Sequence, residues 1–220
     1  MTEFFEVALH QRACRDFSSE PMPDEDIERI LQAASHAPSA ENTQPWVFVV
    51  VRDDDTRTQL SELTQRVWNA GARDQAMARL DDKLAADVDA GIERGLGGAP
   101  VLVVVAADMH SGVHPKAIAS SIFPAVQNLL LAANALGYGS ALTTLTAAAG
   151  DDLRAIVALP DHLTPMAVIP LGRPARPLGP PRRRPVAEST HRDQYGRPWC
   201  RRHSARRSPR RRAICSSRRR

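Results

Sequence analysis

The sequence predicts one α+β domain, and three observations point to it. Residues 47–51, 101–106 and 164–171 are apolar runs rich in Val, Ile and Leu, the pattern of strands buried in a sheet. The segments between them carry apolar residues at helical spacing, above all 117–136. The length of 220 residues holds one such domain with a sizeable core.

Residues 4–17 read as a short helix followed by an extended segment, in which Arg12 and Arg15 flank Ala13 and Cys14. As an isolated pair the arginines are ordinary solvated surface charges. Pro21 and Pro23 break the chain before a helix over 24–36, whose first turn sets Asp24, Glu25 and Asp26 against the positive end of the helix dipole. Ile27, Ile30, Leu31 and Ala34 form its buried stripe. Residues 36–51 pass from helix end to strand through a polar loop containing Pro38, Ser39, Asn42, Thr43, Gln44 and Pro45. Held rigidly at both ends, such a loop presents its hydroxyl and amide groups at fixed positions. The plainer alternative is a turn whose Ser39 and Asn42 satisfy backbone groups. The strand over 47–51 is expected to be covered on both faces, and residues 53–55 cap a helix led by Leu60 and Leu63.

Residues 64–98 are rich in Ala and charge and lack a strong apolar stripe, which predicts one or two exposed helices lying over the body. Trp68 within them reads either as a packing residue or as a lid over a ligand. Gly95, Gly97 and Gly98 lie between a helix and a strand, the reverse of the order that a dinucleotide loop requires. His110 and His114 sit in a loop with no third ligand near, so they read as surface residues rather than a metal site. The helix over 117–136 is apolar on nearly every face, must be covered nearly all round, and is a candidate subunit interface. Pro124 is expected to kink it or reset its start by a turn, and Gly137 and Gly139 end it. Residues 140–146 read as a short hydroxyl-rich strand or turn, and 151–157 as a helix before the last strand.

The net charge of +4 conceals a division. Residues 201–220 hold ten Arg and no acid, so residues 1–200 carry 19 basic against 25 acidic groups. Residues 173–199 are rich in Pro, Gly and Arg, and beyond Trp199 the chain becomes an Arg/Ser tract too polar to bury a core. The expected domains are therefore 1–199 and a disordered tail at 200–220. Cys14, Cys200 and Cys215 are an odd, scattered set that suits a reducing cytoplasm and argues against a disulfide framework or a zinc site. No basic-then-apolar leader opens the sequence, and no apolar run reaches the roughly 20 residues of a membrane span. The expectation is a soluble cytoplasmic body, with nucleic acid attracted only non-specifically by the tail.

Pro-Ser-x-x-Asn-x-Gln-Pro-Trp at 38–46, preceded by the Arg segment at 12–17, resembles the flavin-binding signature of the FMN-dependent nitroreductase family. Further blocks follow in order: Ala99-Pro100 at a strand entry, the apolar helix ending in Gly137, and Gly172-Arg173-Pro174-Ala175. Family members often carry Arg-Arg-Ser, from which Gln11 and Ala13 depart. The resemblance implies a three-layer α-β-α sandwich with a mixed central sheet, intertwined as a homodimer with two FMN molecules at the subunit interface. It implies that Arg12 and Arg183 grip the flavin phosphate and that Ala13 lies in the same binding segment. Arg15 is the candidate electrostatic stabiliser of the reduced ring. Pro38, Ser39, Ala40, Asn42 and Gln44 would contact flavin bound mainly by the other subunit's arginines. Leu142, Thr143 and Thr144 would lie near the reactive N5 edge.

The function so implied is electron transfer from NAD(P)H through FMN to a small acceptor such as a nitroaromatic or quinone. The cofactor performs the chemistry, so no catalytic side chain and no metal is required. Three alternatives stand beside it. Reductive dehalogenation follows from the likeness of the 36–51 block and Thr143-Thr144 to iodotyrosine deiodinases, although 64–98 shows no clear Glu-Tyr-Lys set to clamp a zwitterionic amino acid. A flavin-binding protein without turnover would re-oxidise slowly or not at all. Tail-driven nucleic-acid binding would be steeply salt-dependent and lost on deletion of 200–220.

Overall fold

The structure, a computed structural model, describes residues 3–199. The chain divides after Pro181 into two units. At the centre of the first lies a four-stranded sheet in the order β1-β2-β4-β3, made of β1 (Trp46–Val51), β2 (Val101–Asp108), β3 (Gly139–Ser140) and β4 (Leu163–Gly172). These strands all pair antiparallel. Among the described residues the parallel component of the expected mixed sheet is one bridge, Ala13 to Ser140, where the N-terminal segment docks beside β3.

Side chains alternate across β2, as the pleat requires. Val101, Val103, Val105 and Ala107 pack against α2 (Asp24–Ser35) and α6 (Pro115–Ala135). Leu102 and Val104 face the opposite layer, where α3 (Asp54–Val67) supplies Leu60 and Leu63 and α7 (Gly150–Ile156) supplies Leu153. The unit is thus a three-layer α-β-α sandwich. Tyr138 closes one end of the first layer, donating from its hydroxyl to Asp26 Oδ2 at 2.7 Å.

Four local expectations are corrected or narrowed. β1 meets both core layers, with Trp46, Phe48 and Val50 on one face and Val49 and Val51 on the other. As an edge strand, however, it is covered only in part, and only Val51 in it is buried. A β-branched run specifies a strand but not its place in the sheet. Of the two outcomes expected at Pro124, a reset of the helix start does not occur: α6 runs from Pro115 through Pro124 to Ala135. Pro124 cannot donate to the Ser120 carbonyl, and Ser120 is exposed, so water can take the freed acceptor. Nor is α6 covered all round, because Phe123 on its outer side is 38% exposed. By length and composition α6 could cross a membrane; its Ile118, Ile122, Val126 and Leu129 pack into the core instead.

The fourth concerns 140–146, expected as a short strand or turn: Ser140 ends β3, Thr143 bridges to Val168, and the segment then passes into a 3₁₀ turn at Thr146–Ala148. Val168 exchanges both backbone hydrogen bonds with Thr143, at 2.9 and 3.1 Å. Pro170, two residues on, turns the same lateral edge toward this segment and has no N–H to give. Ala141 and Leu142 therefore leave the sheet between Ser140 and Thr143.

The expected helices over 64–98 are present. α3 continues through a π-helical turn at Trp68–Ala72, where Gly71 takes φ +122°, into α4 (Arg73–Met77), and α5 (Asp82–Glu93) follows. The first unit opens with α1 (Phe4–His10). The second unit contains a 3₁₀ turn at Val186–Glu188 and a bridge from His191 to Pro198. The disordered Arg-rich tail expected at 200–220 lies outside the described residues.

Candidate functional site

The Arg segment is an extended strip fixed by its neighbours. Cys14 N–H donates to the Ser140 carbonyl at 2.9 Å and Phe17 N–H to the Gly97 carbonyl at 3.0 Å, while the Asp16 carbonyl accepts from Ala175 N–H at 3.0 Å. Two glycines let other elements come this close. A Cβ on Gly97, whose φ is +76°, would meet the Arg15 carbonyl oxygen at 2.5 Å, and one on Gly91 of α5 would meet Arg15 Cβ at 3.0 Å. Cys14 is buried, and its thiol donates to the Asp16 carbonyl at 3.2 Å. Burial pushes that thiol's pKa up, so it stays protonated at neutral pH.

Two cavities adjoin this strip, and Cys14 and Arg15 line both. The larger, of 320 Å³, is floored by Pro170, Ala141, Leu142 and Thr143, so the departure of 141–142 from the sheet forms part of it. Thr64, Trp68 and Ala72 make one wall, and Gln75, Ala76, Arg79, Val88 and Ile92 form a cover. Thr64 donates to the Leu60 carbonyl at 2.7 Å and accepts from the Thr146 hydroxyl at 2.7 Å, a buried pair that ties this wall to residues 146–148. Trp68 is buried and also lines the cavity, so packing and lining are one role here. Its Nε1 donates to Asp89 Oδ1 at 2.8 Å, and Arg73 donates to the same carboxylate at 3.0 and 2.6 Å. The Arg73 bonds, and then that of Trp68, lower the pKa of Asp89.

The smaller cavity, of 160 Å³, is cationic. Arg12, Arg15, Lys83, Arg94 and Arg176 line it beside Asp16 and Asp87. Arg94 pairs with Asp16 at 3.1 Å and Arg176 with Asp87 at 3.3 Å. Arg12, Arg15 and Lys83 have no carboxylate partner among the described residues, and Arg12 Nη1 donates to the Gly179 carbonyl at 3.0 Å. Desolvation lowers the pKa of Arg15, with Asp87 opposing it, yet a guanidinium stays charged.

The structure brings together some of the expected site residues and separates others. Arg12, Ala13, Arg15, Leu142 and Thr143 line the two cavities. Thr144 is exposed and lines neither. Pro38, Ser39, Ala40, Asn42 and Gln44 also line neither, because their loop belongs to the other layer: Ala40 N–H donates to Ser121 Oγ of α6 at 3.0 Å. Within that loop Ser39 Oγ accepts from Gln44 N–H at 3.1 Å. Glu41, Asn42 and Gln44 take φ of 52°, 56° and 49°. Left-handed non-glycine residues cost on the order of 1–3 kcal/mol each and collect at ligand sites. Arg183 lies in the second unit, where its Nη1 donates to the Arg182 carbonyl at 3.0 Å.

Sequence reasoning missed several lining residues. Lys83 and Asp87 of α5, and Arg94 at its C-cap, follow helical spacing, a pattern visible in the sequence but read as part of exposed helices. Gly97 was visible as a helix break, and its approach to Arg15 was not. Arg79 carried no local signal. His110 stacks on His162 with ring centroids 5.2 Å apart. Among the described residues no group of three His, Cys, Asp or Glu is placed to hold a metal.

Comparison with known proteins gives a consistent set of relatives. The family model described as the nitroreductase family matches residues 8–173. Iodotyrosine deiodinase 1 of Rattus norvegicus is 30% identical over 183 residues, covering 79% of this chain, and the chain spans only 63% of that protein's length. An Archaeoglobus fulgidus protein provisionally named NADH dehydrogenase/NAD(P)H nitroreductase is 31% identical over 180 residues, covering 79% of this chain and 87% of its own. Among solved structures, a provisionally named nitroreductase from Desulfovibrio desulfuricans in complex with FMN superposes with TM-score 0.71 at 27% identity, covering 89% of this chain and 99% of that one. Oxidized iodotyrosine deiodinase bound to FMN and 3-iodo-L-tyrosine superposes with TM-score 0.68 at 26% identity, covering 84% and 96%.

Proposed function

The chain belongs to the nitroreductase family, and from that membership we propose that it is an FMN-dependent oxidoreductase passing electrons from NAD(P)H to a small acceptor such as a nitroaromatic or quinone. The observation that carries this reading is the pair of cavities joined at Arg15, one cationic and one largely apolar. The donor set suits FMN. Guanidinium groups make strong charge-assisted hydrogen bonds to phosphate, and Arg12 and Lys83 offer cations on the cationic side. Ala141, Leu142 and Pro170 on the floor suit one face of a flat ring, which leaves the cover opposite to an acceptor, in a volume of 320 Å³ that falls within the range of about 300–1,000 Å³ for small-molecule sites. When bound, FMN would supply the hydride and electron-pair transfer.

The chain's own residues would bind, orient and exclude water. Arg15 holds a partly desolvated positive charge against the apolar cavity, where it would favour an anionic reduced ring. Trp68, locked to Asp89, keeps the cover closed over the floor. Arg183 enters as a further phosphate ligand on the resemblance alone. We take the active form to be a homodimer in which the 38–44 loop of one copy completes the site of the other. The loop's place in the opposite layer and the exposed Phe4, Phe5 and Leu9 of α1 support this.

Freshly purified protein should show flavin absorption bands, and anaerobic NADH or NADPH should bleach them. A colourless protein that oxidises neither nucleotide when FMN is supplied removes the proposal. Reductive dehalogenation is the second reading, favoured by the 30% identity to the rat deiodinase. Reduced-flavin-dependent iodide release from 3-iodotyrosine, without turnover of quinones or nitroaromatics, would decide for it.

A further inference from the structure

Resting on the reductase reading above, we propose that the 320 Å³ cavity selects an anionic aromatic acceptor of the benzoate class, with Arg79 on the cover as the group that recognises the carboxylate. The lining carries the argument. Among the described residues its only charged lining is Arg15 and Arg79, and no Asp or Glu lines it.

Three acids near the cover are committed elsewhere, and Asp74 of α4 and Asp82 and Glu93 of α5 do not line the cavity. Asp89 binds Trp68 and Arg73, Asp87 pairs with Arg176 on the side of the smaller cavity, and Asp81 caps α5 by accepting from Leu84 N–H at 2.9 Å. Arg79 spends one donor, Nε to the Gln75 carbonyl at 2.9 Å, and among the described residues its terminal nitrogens meet no carboxylate. That internal bond holds Nε, and a guanidinium with both terminal nitrogens available matches a carboxylate bidentately. The remaining wall is apolar: Trp68, Ala72, Ala76, Val88, Ile92 and Leu145. An aromatic ring bearing one negative charge satisfies both parts. A zwitterionic amino acid does not, because its ammonium would find no anion in the lining and would lose its hydration uncompensated. A cationic aromatic would face two like charges.

The test compares 4-nitrobenzoate with its neutral analogue 4-nitrobenzamide, using FMN-loaded full-length protein and one fixed nicotinamide donor. The ratio of their kcat/KM values should favour the anion. In Arg79→Gln that ratio should fall roughly twofold to fivefold, as expected for loss of a charge-assisted pair at an exposed site, and Arg79→Lys should restore part of it. Calorimetric titration with the unreactive pair benzoate and benzamide reads the same preference without turnover. A ratio unmoved by Arg79→Gln, or 3-iodo-L-tyrosine binding more tightly than benzoate, overturns the inference. If benzoate is preferred through Arg79 but neither nitro compound is reduced, charge selection stands and the reductase reading falls. Equal turnover of both nitro compounds does the opposite.

Discussion

Arg15 is held where it is by two residues that have no side chain. Gly97 has a positive φ and no room for a Cβ, whereas Gly91 lies in an ordinary helix and lacks only the room. The two substitutions to Ala should therefore separate stability from site geometry. Gly97→Ala combines a left-handed backbone penalty of about 1–2 kcal/mol with a direct clash, so denaturant unfolding should show clear destabilisation. Gly91→Ala gains up to about 1 kcal/mol of helix propensity, which offsets the pressure on Arg15 Cβ. Its stability should change little while its FMN affinity falls, and flavin fluorescence titration reads that fall. Wild-type affinity in Gly91→Ala would show that α5 does not position Arg15. At this scale the basic character of the 12–15 segment was legible in the sequence, because residue type states it. The need for Gly91 was not, because it arises from a contact with a segment distant along the chain.

The wall and cover formed by α3, the π-helical turn, α4 and α5 are joined by the Asp89 carboxylate and by Gln65 of α3, whose amide donates to the Ile92 and Glu93 carbonyls at 3.1 and 3.2 Å. Asp89 receives Trp68 from the π-helical turn and Arg73 from α4. Its folded-state pKa is lowered, so its contribution is present above the unfolded carboxylate value, about 3.9, and is lost as pH falls through the lower folded value. In a variant keeping Trp68 as its only tryptophan (Trp46→Phe, Trp199→Phe), indole emission should shift to the red as pH drops below about 4. Asp89→Ala should show that shift already at pH 7. Emission indifferent to both changes would mean that Asp89 does not close the cover. The helices themselves were legible from composition, and their role as the wall and cover of a cavity was not. Low amphipathicity states only that an element is half covered, and what it covers depends on where the floor opens. Here the floor opens at Pro170, whose missing N–H releases Ala141 and Leu142 from the sheet.

Across the whole molecule, the expected flavin-contacting residues fall on opposite layers: Arg12 and Arg15 beside α5, and the 38–44 loop against α6. If flavin is shared between copies, a site takes arginines from one chain and the loop from the other. Arg15→Ala and Asn42→Ala should then complement each other. Each homodimer should retain FMN poorly, whereas a mixed population should contain heterodimers with one doubly defective and one intact site. Up to half of the wild-type flavin content per heterodimer should return, measured after separation by differential tags. No recovery in a purified heterodimer would place all flavin contacts within one chain.

The sequence by itself determined the strands, the central apolar helix, the arginine segment and the Pro-Ser-x-x-Asn loop, since periodicity, turn chemistry and residue type are local properties. Only the tertiary structure decided that β1 is an edge, that α6 runs through Pro124, and that Gly91 and Gly97 press Arg15 between two cavities. It also decided that Arg79 faces a lining without acids. Those outcomes depend on which distant atoms come into contact, and excluded volume and desolvation between remote segments leave no periodic trace along a chain.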